Sequence, residues 1–575
     1  MRVFQWIEER TGLAATIRHA LDEPVAGGAR LQYVFGSVLV FLFMQQVVLG
    51  VLLASYYSPS ASAAWASTAF IQDQVANGWF LRGLHHHGSS AMVVVMVLHF
   101  LQVVWTGAYR APREVNWWTG LVMGGLVLAF ALTGYLLPWD QKGYWATQVA
   151  TGIMGTVPAG EPVQHLVQGG SQYGNLTLTR FYALHVFVLP IGLALLLAAH
   201  VSLFRRHGVT PPAKLSDDEL KAKLQPFWPN QLFLDVAAMT VCAAVLVGLT
   251  VQTHGAELFA PADPASNFVA RPEWYFLFLF QLLKYFEGPL QVVATVLLPG
   301  AVTVALLLLP FLDRAKTRKA SDRWKALTFI GLLMAGVTTL TALAMVEDGR
   351  NESYQHGLEA AEQAADRARE LALEGVPPAG GVAVFDNDPM EKTRRLFKEQ
   401  CATCHTIEGQ GGAEAPGFED YGSRAWLTGL IRNPRDPKYY GGTKGHNTME
   451  AYPAEKVSDE EVAAVVEYLI ALAGEEVGAA DATLVAKGKE LWAGEKFDCS
   501  SCHEVEQGKD ATGPTLAGRG TREWVARVIK NSAEKDLYGD TAEMPKFAGK
   551  LSEAEIEGLA RFITSQRGKS AAAGH

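Results

Sequence analysis

Beyond about residue 347 this 575-residue chain has no apolar run long enough to cross a bilayer, so any membrane anchoring belongs to the residues before it. The opening segment, MRVFQWIEERTGLAATIRHAL, lacks the apolar core of a cleavable signal peptide. It is charged and amphipathic, which predicts a surface-lying helix over residues 1–30 and leaves targeting to the first spans. Residues 351–575 lack a basic excess. Their 26 Lys and Arg face 38 Asp and Glu, net −12, against net +3 before them; that balance argues against nucleic acid and suits either a basic partner or a plain solvated surface. Cysteine is scarce. Of five, four lie in two short motifs, and Cys242, alone in an apolar run, reads as a small buried hydrophobe.

Before residue 347 there are seven apolar runs of roughly the 20 residues that a span needs, at 31–56, 86–108, 117–137, 181–204, 232–251, 289–312 and 326–346. Lysine and arginine set their direction. Seventeen fall in the leader and in alternate connections, from Arg2 to the segment DRAKTRKASDRWK, while the intervening connections hold few, among them Lys142, Arg271 and Lys284. The N-terminus is therefore expected in the cytoplasm. Seven crossings then put the C-terminal part on the outer, periplasmic side of a bacterial inner membrane, the chain being multi-pass and in contact with lipid.

That C-terminal part carries the plainest chemistry. CATCH (401–405) and CSSCH (499–503) are c-type haem attachment signatures. Cys401 with Cys404, and Cys499 with Cys502, are spaced to bond the two vinyl groups of one haem each, and His405 and His503 then ligate the iron. The motifs sit in an internal repeat. His405 to Trp426 and His503 to Trp524 are both 21 residues, and SRAWLTGLIRNPRDPKYYG parallels TREWVARVIKNSAEKDLYG. Each copy continues into a methionine before an aromatic, Met449 and Met544, and a closing helix. A thioether sixth ligand raises a haem's potential, as an electron acceptor requires. His446 competes with Met449 at the first haem.

The membrane part has four histidines in register. His85 and His99 are 14 residues apart, His185 and His200 are 15 apart, each about four helical turns and roughly 21 Å along an axis. His86 and His87 fall out of register with His99. Both spans run from outside to inside, so His85 pairs with His185 and His99 with His200 in two layers. Polar groups at such depth are costly unless they ligate something, and the spacing suits two noncovalent, bis-histidine b haems. Gly36 and Gly50, and Gly120 and Gly134, also recur at 14 and open room for flat macrocycles at two heights, although glycine is common in packed membrane helices.

Together with the histidine pairs, the segments RGLH, TGYLLPWDQKGYWA, LTRFYALH and RPEWYF resemble the cytochrome b of quinol-oxidising cytochrome bc complexes over residues 1 to about 346. The resemblance is nearest the chloroplast type, in which a four-span cytochrome b and a three-span subunit IV are separate chains; here both parts are fused, without the eighth span of mitochondrial-type chains. The 15-residue spacing and QWIEER also suit that type. The extra covalent haem of that type attaches to a cysteine in span one, where this chain has Val34, so no third membrane haem is expected.

By that resemblance the outer quinol site is built from Pro272, Glu273, Trp274 and Tyr275 with the loop 138–145, Trp139 included. Glu273, with Tyr275 beside it, is the catalytic candidate. Quinol oxidation releases two protons with its two electrons, and a carboxylate near the outer surface takes protons that a haem cannot. Arg82 and Arg180 are placed either to pair with haem propionates or to anchor helices at the interface. The inner quinone site falls to Asp235, six residues after Pro229, with Arg205 and His207 beyond His200. One quinol electron enters a high-potential chain and the other crosses through the b haems to the inner quinone, with proton translocation. The first acceptor in this family is a Rieske iron–sulfur protein. Its cysteine and histidine signature is missing here, so it is expected as a separate subunit. The c domains would pass electrons to a soluble cytochrome c or a terminal oxidase, and the complex is expected to be a homodimer.

The expected architecture is all-α: an amphipathic helix to 30, a four-helix haem bundle at 31–210, and a three-helix subunit IV-like part at 211–346. A helical, then flexible, linker at 347–390 leads to two small class I type cytochrome c domains at 391–474 and 475–575. A haem conduit without quinol chemistry of its own, or a transporter, are readings from other classes. PEWY and LPWDQ favour the enzyme, since a conduit needs only the histidines.

Overall fold

The computed structural model describes residues 2–155, 160–266, 268–286, 288–407, 410–443, 449–509 and 512–568; His446 lies outside them. The chain divides into two compact units, 1–384 and 385–575. Seven helices of the first are long and apolar enough to cross a membrane: α1 (Leu31–Ala54), α2 (Gly78–Thr106), α3 (Glu114–Leu136), α4 (Asn175–His207), α5 (Phe227–Gln252), α6 (Val293–Leu312) and α7 (Trp324–Arg350). α1 is apolar all round, and Val40, Met44, Val48 and Val51 stay exposed along it, as a helix bathed in lipid requires.

The helices alternate in direction, giving the bundle a near end, which carries the N-terminus, and a far end. At the near end Arg323 is almost wholly buried. It pairs with Asp313 at 3.0 Å and donates to the Trp105 carbonyl at 3.0 Å and the Tyr109 hydroxyl at 2.9 Å, fastening the start of α7 to the end of α2. The N-terminal segment departs from the single helix expected. It forms helices Arg2–Thr11 and Leu13–Leu21 broken at Gly12, whose φ of +59° lies in the left-handed region that glycine enters freely. Pro24–Val25 then pairs antiparallel with Gln225–Pro226 ahead of α5.

At the far end the segment after α3 folds back on the loop before residue 262. The Asp140 carboxylate accepts from the backbone N–H groups of Gly143 (2.8 Å) and Phe259 (3.1 Å), and the Gln141 N–H donates to the Ala260 carbonyl at 2.9 Å. A further helix, α8 (Glu352–Leu373), follows α7. Instead of ending in a free tether, this connection is seated on the far end. Arg369 pairs with Asp73 at 2.5 Å, and Gly380 and Gly381 lie so close to Ser62, Trp65 and Pro261 that an added Cβ would come within 3.0 to 3.2 Å of each. The glycines of VPPAGG act here as close-approach residues; as a sequence they look like those of a flexible linker.

The second unit holds α9 (Pro389–Gln400), α10 (Arg424–Arg432), α11 (Asp459–Ala473), α12 (Ala482–Ala493), α13 (Arg522–Asn531) and α14 (Glu553–Thr564). Each opens on a side-chain cap, respectively Asp388, Ser423, Ser458, Asp481, Thr521 and Ser552. Such a cap contributes typically about 1 kcal/mol. Residues of both repeats, among them Phe397, Trp426, Val465, Trp524 and Phe562, share one hydrophobic core. Within it α9 packs on α14 and α12 on α11.

Candidate functional site

Inside the bundle α2 and α4 bring His85 and His185 opposite each other, with ring centroids 6.3 Å apart and ring planes 70° apart. Two imidazoles on opposite sides of one metal ion, at bonds of about 2 Å each, need a separation of this order. The glycines belong to the same construction. A Cβ on Gly50 would lie 3.4 Å from the His85 ring and one on Gly134 only 2.6 Å from that of His185; in the second layer one on Gly36 would lie 3.8 Å from His99 and one on Gly120 3.3 Å from His200. Each histidine thus faces one glycine of α1 or α3.

Two threonines complete the pattern. Thr133 Oγ1 is hydrogen-bonded to His185 Nδ1 at 3.2 Å and Thr119 Oγ1 to His200 Nδ1 at 3.0 Å, which fixes those rings and leaves Nε2 as the free ligand nitrogen. His85 Nδ1 and His99 Nδ1 are buried without a partner. Four half-buried imidazoles, matched glycines and oriented ring nitrogens fit flat, iron-centred macrocycles. Thr119 and Thr133 escaped the sequence reading; the signal was the Thr-Gly dipeptide at 119–120 and 133–134, repeated at 14. His87 stays outside the layers, bonding Thr253 Oγ1 at 2.9 Å.

Towards the far end, Glu273 lies beside Lys142, whose ammonium is 3.3 Å from the Glu273 carboxylate and 2.8 Å from that of Glu257. Burial works against the Lys142 charge, but those two carboxylates outweigh it and hold the ammonium well above its usual range. Asp140 is raised instead, burial exceeding the pull of its two backbone N–H donors and of Lys142 and Arg82. Tyr275 packs among Phe43, Val127, Leu193 and Phe130, and the Phe130 ring stands edge-on to His185 at 5.4 Å. The acid-bearing segment and the first histidine layer therefore share one apolar wall. Pro272 directly precedes Glu273, and Trp274 is exposed.

Not every residue singled out from the sequence lands in that setting. Trp139 is 6% exposed, with a φ of +51°, and packs with Tyr144, Leu178 and Phe181 in the far-end core. Arg82 donates to Gln72 and to the carbonyls of Ala256 and Glu257, so its terminal nitrogens hold the 254–257 loop; Arg180 bonds the Leu166 carbonyl. At the near end Asp235 is buried, accepting from Ser37 Oγ at 2.7 Å and Gln231 Nε2 at 2.8 Å. Arg205 pairs with Glu23 at 2.8 Å, and the His207 carbonyl accepts from Arg113. Among the bonds of the described residues none joins Asp235 to Arg205 or His207.

In the second unit Cys401, Cys404, Cys499 and Cys502 are free thiols. Burial raises Cys401 and Cys499 to about 11, keeping them protonated. His405 and His503 are held by equivalent bonds, Nδ1 to the Pro416 and Pro514 carbonyls at 2.8 Å each. Burial lowers both imidazoles, against the opposing pull of those carbonyls. A neutral ring donating from Nδ1 presents the Nε2 lone pair to an iron. Met449 and Met544 are half-buried against the shared core.

The comparisons with known proteins agree with this geometry. Residues 20–208 match the family Cytochrome b/b6/petB and residues 261–354 the family Cytochrome b(C-terminal)/b6/petD. Residues 390–473 match Cytochrome c, and 483–563 match Cytochrome C oxidase, cbb3-type, subunit III. A cytochrome bc complex cytochrome b subunit of Chlorobaculum thiosulfatiphilum is 36% identical over 306 residues, 52% of this chain and 70% of that protein. Cytochrome b6 of Porphyra purpurea is 38% identical over 212 residues, 37% of this chain and 99% of its own length. Among solved structures, one titled Hyperthermophilic respiratory Complex III aligns with a TM-score of 0.53 and 28% identity, covering 66% of this chain and 98% of that one.

The chain belongs to the cytochrome b/b6 family, with the b6-like and subunit IV-like parts on one polypeptide and cytochrome c domains at its C-terminal end. It is accordingly a membrane protein of the oxidoreductase class that carries haem b and haem c.

Proposed function

We propose that this chain is the quinol-oxidising core of a bc-type complex, with two b haems held by His85/His185 and His99/His200 and two c haems on Cys401/Cys404 and Cys499/Cys502. Bound there, the haems supply one-electron carriers at two depths of the membrane and in the second unit. The chain's own residues manage the protons. Glu273, on the wall that reaches His185 through Phe130 and Tyr275, takes the quinol proton, and Lys142 keeps that carboxylate in place. Pro272 and Trp274 shape the pocket with Tyr275, while Trp139 supports it from the core. At the near end Asp235 gives protons to the quinone reduced there, with Arg205 and His207 at its mouth. Protons are thus released at the far end and taken up at the near end, so turnover moves charge across the bilayer.

The near end is cytoplasmic and the far end periplasmic in this reading, as the arginine and lysine bias requires. The Rieske iron–sulfur protein is a separate subunit, because four of the five cysteines are taken by c haems and Cys242 stands alone in α5. The complex is a homodimer in the bacterial inner membrane, and its acidic second unit hands electrons to a basic soluble cytochrome c or a terminal oxidase.

One observation carries the proposal: four histidines in two layers, each facing a glycine across the bundle. Pyridine haemochrome spectra of the purified chain should give two b and two c haems per polypeptide. Glu273→Gln should then abolish inhibitor-sensitive quinol oxidation with that haem complement intact. Full turnover in Glu273→Gln would remove Glu273 as the proton acceptor, absence of inhibitor-sensitive quinol oxidation in the parent would leave an electron conduit, and absence of b haem would leave a transporter.

A further inference from the structure

The two cytochrome c repeats are not two separate bodies. If each folded on its own, the helix entering a CxxCH motif would pack against the closing helix of the same repeat. Here α9, which runs directly into Cys401, packs against α14 of the second repeat, and α12, which leads to Cys499, packs against α11 of the first. Neither α9 with α11 nor α12 with α14 is a principal packing pair among the described residues.

The contacts on both sides are intimate. Phe397 meets Phe562 at 5.8 Å between ring centroids, and a Cβ on Gly558 would stand 3.9 Å from the Thr393 Cβ. In the other pair a Cβ on Gly488 would run into the Ala464 carbonyl oxygen, so only glycine allows that crossing; Tyr468 meets Trp492 at 5.9 Å, and Lys496 pairs with Glu461 at 2.6 Å. The loops after the haem motifs reach the other repeat as well as the segment after their own α10 or α13, where the Gly417 N–H donates to the Lys438 carbonyl and the Thr515 N–H to the Asp536 carbonyl, at 2.9 Å each. Asp420, beyond His405, accepts from the Gly568 N–H at 2.8 Å, and the Gly518 N–H, beyond His503, donates to the Leu472 carbonyl at 3.1 Å.

The methionines go with the closing helices. The Tyr452 N–H, three residues after Met449, bonds to the Ile431 carbonyl at the end of α10, and α10 packs on α11. The Tyr452 ring lies 5.0 Å from Phe497, and its hydroxyl donates to the Phe497 carbonyl, two residues before Cys499. The Met449 loop is thereby fastened to the second haem motif. In the counterpart, the Met544 carbonyl accepts from Ser532 Oγ just after α13, α13 packs on α14, and α14 packs on α9.

We infer that the c haems exchange their sixth ligands between repeats: Met544 completes the haem held by Cys401, Cys404 and His405, and Met449 completes the haem held by Cys499, Cys502 and His503. The inference rests on the reading that both methionines are ligands, but it reverses the pairing that sequence order suggests. It also removes His446, three residues before Met449 in the sequence, from the first haem.

The test uses the full chain carrying Cys499→Ser and Cys502→Ser, so that the only covalent haem is the one on Cys401 and Cys404. Into it Met544→His or Met449→His is introduced, and the readouts are the methionine-to-iron charge-transfer band of the ferric protein and the midpoint potential of that haem. Met544→His should abolish the band and lower the potential, and Met449→His should leave both unchanged. The opposite result overturns the exchange. Retention of the band in both variants removes Met449 and Met544 alike as the ligand of this haem, and the exchange with them. In case the one-haem chain fails to fold, the two-haem chain is given Thr393→Cys with Gly558→Cys, or Thr393→Cys with Ala464→Cys. A Cβ separation of 3.9 Å is within the range that a disulfide bridges. Mild oxidation should lock the first pair, read as a mobility shift reversed by reductant. A bond in the second pair, or none in the first, overturns the exchange.

Discussion

Lys142 Nζ stands 3.3 Å from the Glu273 carboxylate and 2.8 Å from that of Glu257, one ammonium shared by two acids on either side of the loop 258–272. Its raised proton affinity fixes the sign of its contribution. The stability it adds is fully present below its ordinary value of 10.5 and is lost only as pH climbs through a still higher folded value, so the charge persists throughout any working range. Lys142→Gln leaves two acids facing each other without their common cation and should reduce quinol oxidation about tenfold, roughly 1.4 kcal/mol in the barrier. Lys142→Arg should retain most of it. Turnover assayed against unchanged haem content checks this.

The glycines differ in how much room they leave, which grades their substitution. Gly134→Ala places a methyl 2.6 Å from the His185 ring and must displace it, whereas Gly36→Ala meets His99 at an ordinary 3.8 Å. In the four-haem reading, Gly134→Ala should lose about half of the noncovalent haem, as measured by pyridine haemochrome spectra. Equal loss from both variants would count against the layered arrangement.

Thr133→Val keeps the shape beside His185 but removes its hydrogen bond. The haem should stay bound while its midpoint potential shifts, since the partner that orients a ligand also tunes it. Redox titration of the b-type absorbance is the measurement.

Acid should loosen the second unit through Glu461, whose carboxyl is held at about 2 by the Lys496 ammonium and the Ser458 N–H. A depressed carboxyl contributes its stability above the ordinary value of 4.5 and loses it as pH falls toward 2. Melting temperatures of the haem-loaded chain between pH 5 and pH 3 should fall less steeply in Glu461→Gln than in the parent, and salt should narrow the difference.

Arg369 and Asp73 hold α8 on the far end. Partly exposed pairs contribute about 0.2–1 kcal/mol, so Asp73→Asn should open the connection up to about fivefold more often. Faster limited trypsinolysis between residues 350 and 385, with haem content unaltered, is the expected result.

How much of this was legible in the sequence varied with the kind of signal. The seven spans and the two CxxCH repeats stood out because apolar length and covalent spacing are local properties. The His85/His185 pair and its glycines were legible for a related reason: a 14-residue recurrence on a helix is geometry written as arithmetic. Trp139 was read as lining the quinol pocket, yet it is buried in the far-end core, since an aromatic beside a proline looks the same in either place. The seated linker and the kink at Gly12 depended on tertiary contact and backbone sign, to which composition is blind. The pairing of α9 with α14 could not be seen at all: two similar repeats offer equivalent partners, and nothing local says which copy a helix will choose.

That choice has an evolutionary cost for the C-terminal unit. With every entering helix resting on the other copy's closing helix, neither half can be trimmed, replaced or inherited alone. A frameshift late in the gene would ruin the earlier cytochrome as surely as the later one, and the duplicated module survives only as an indivisible pair.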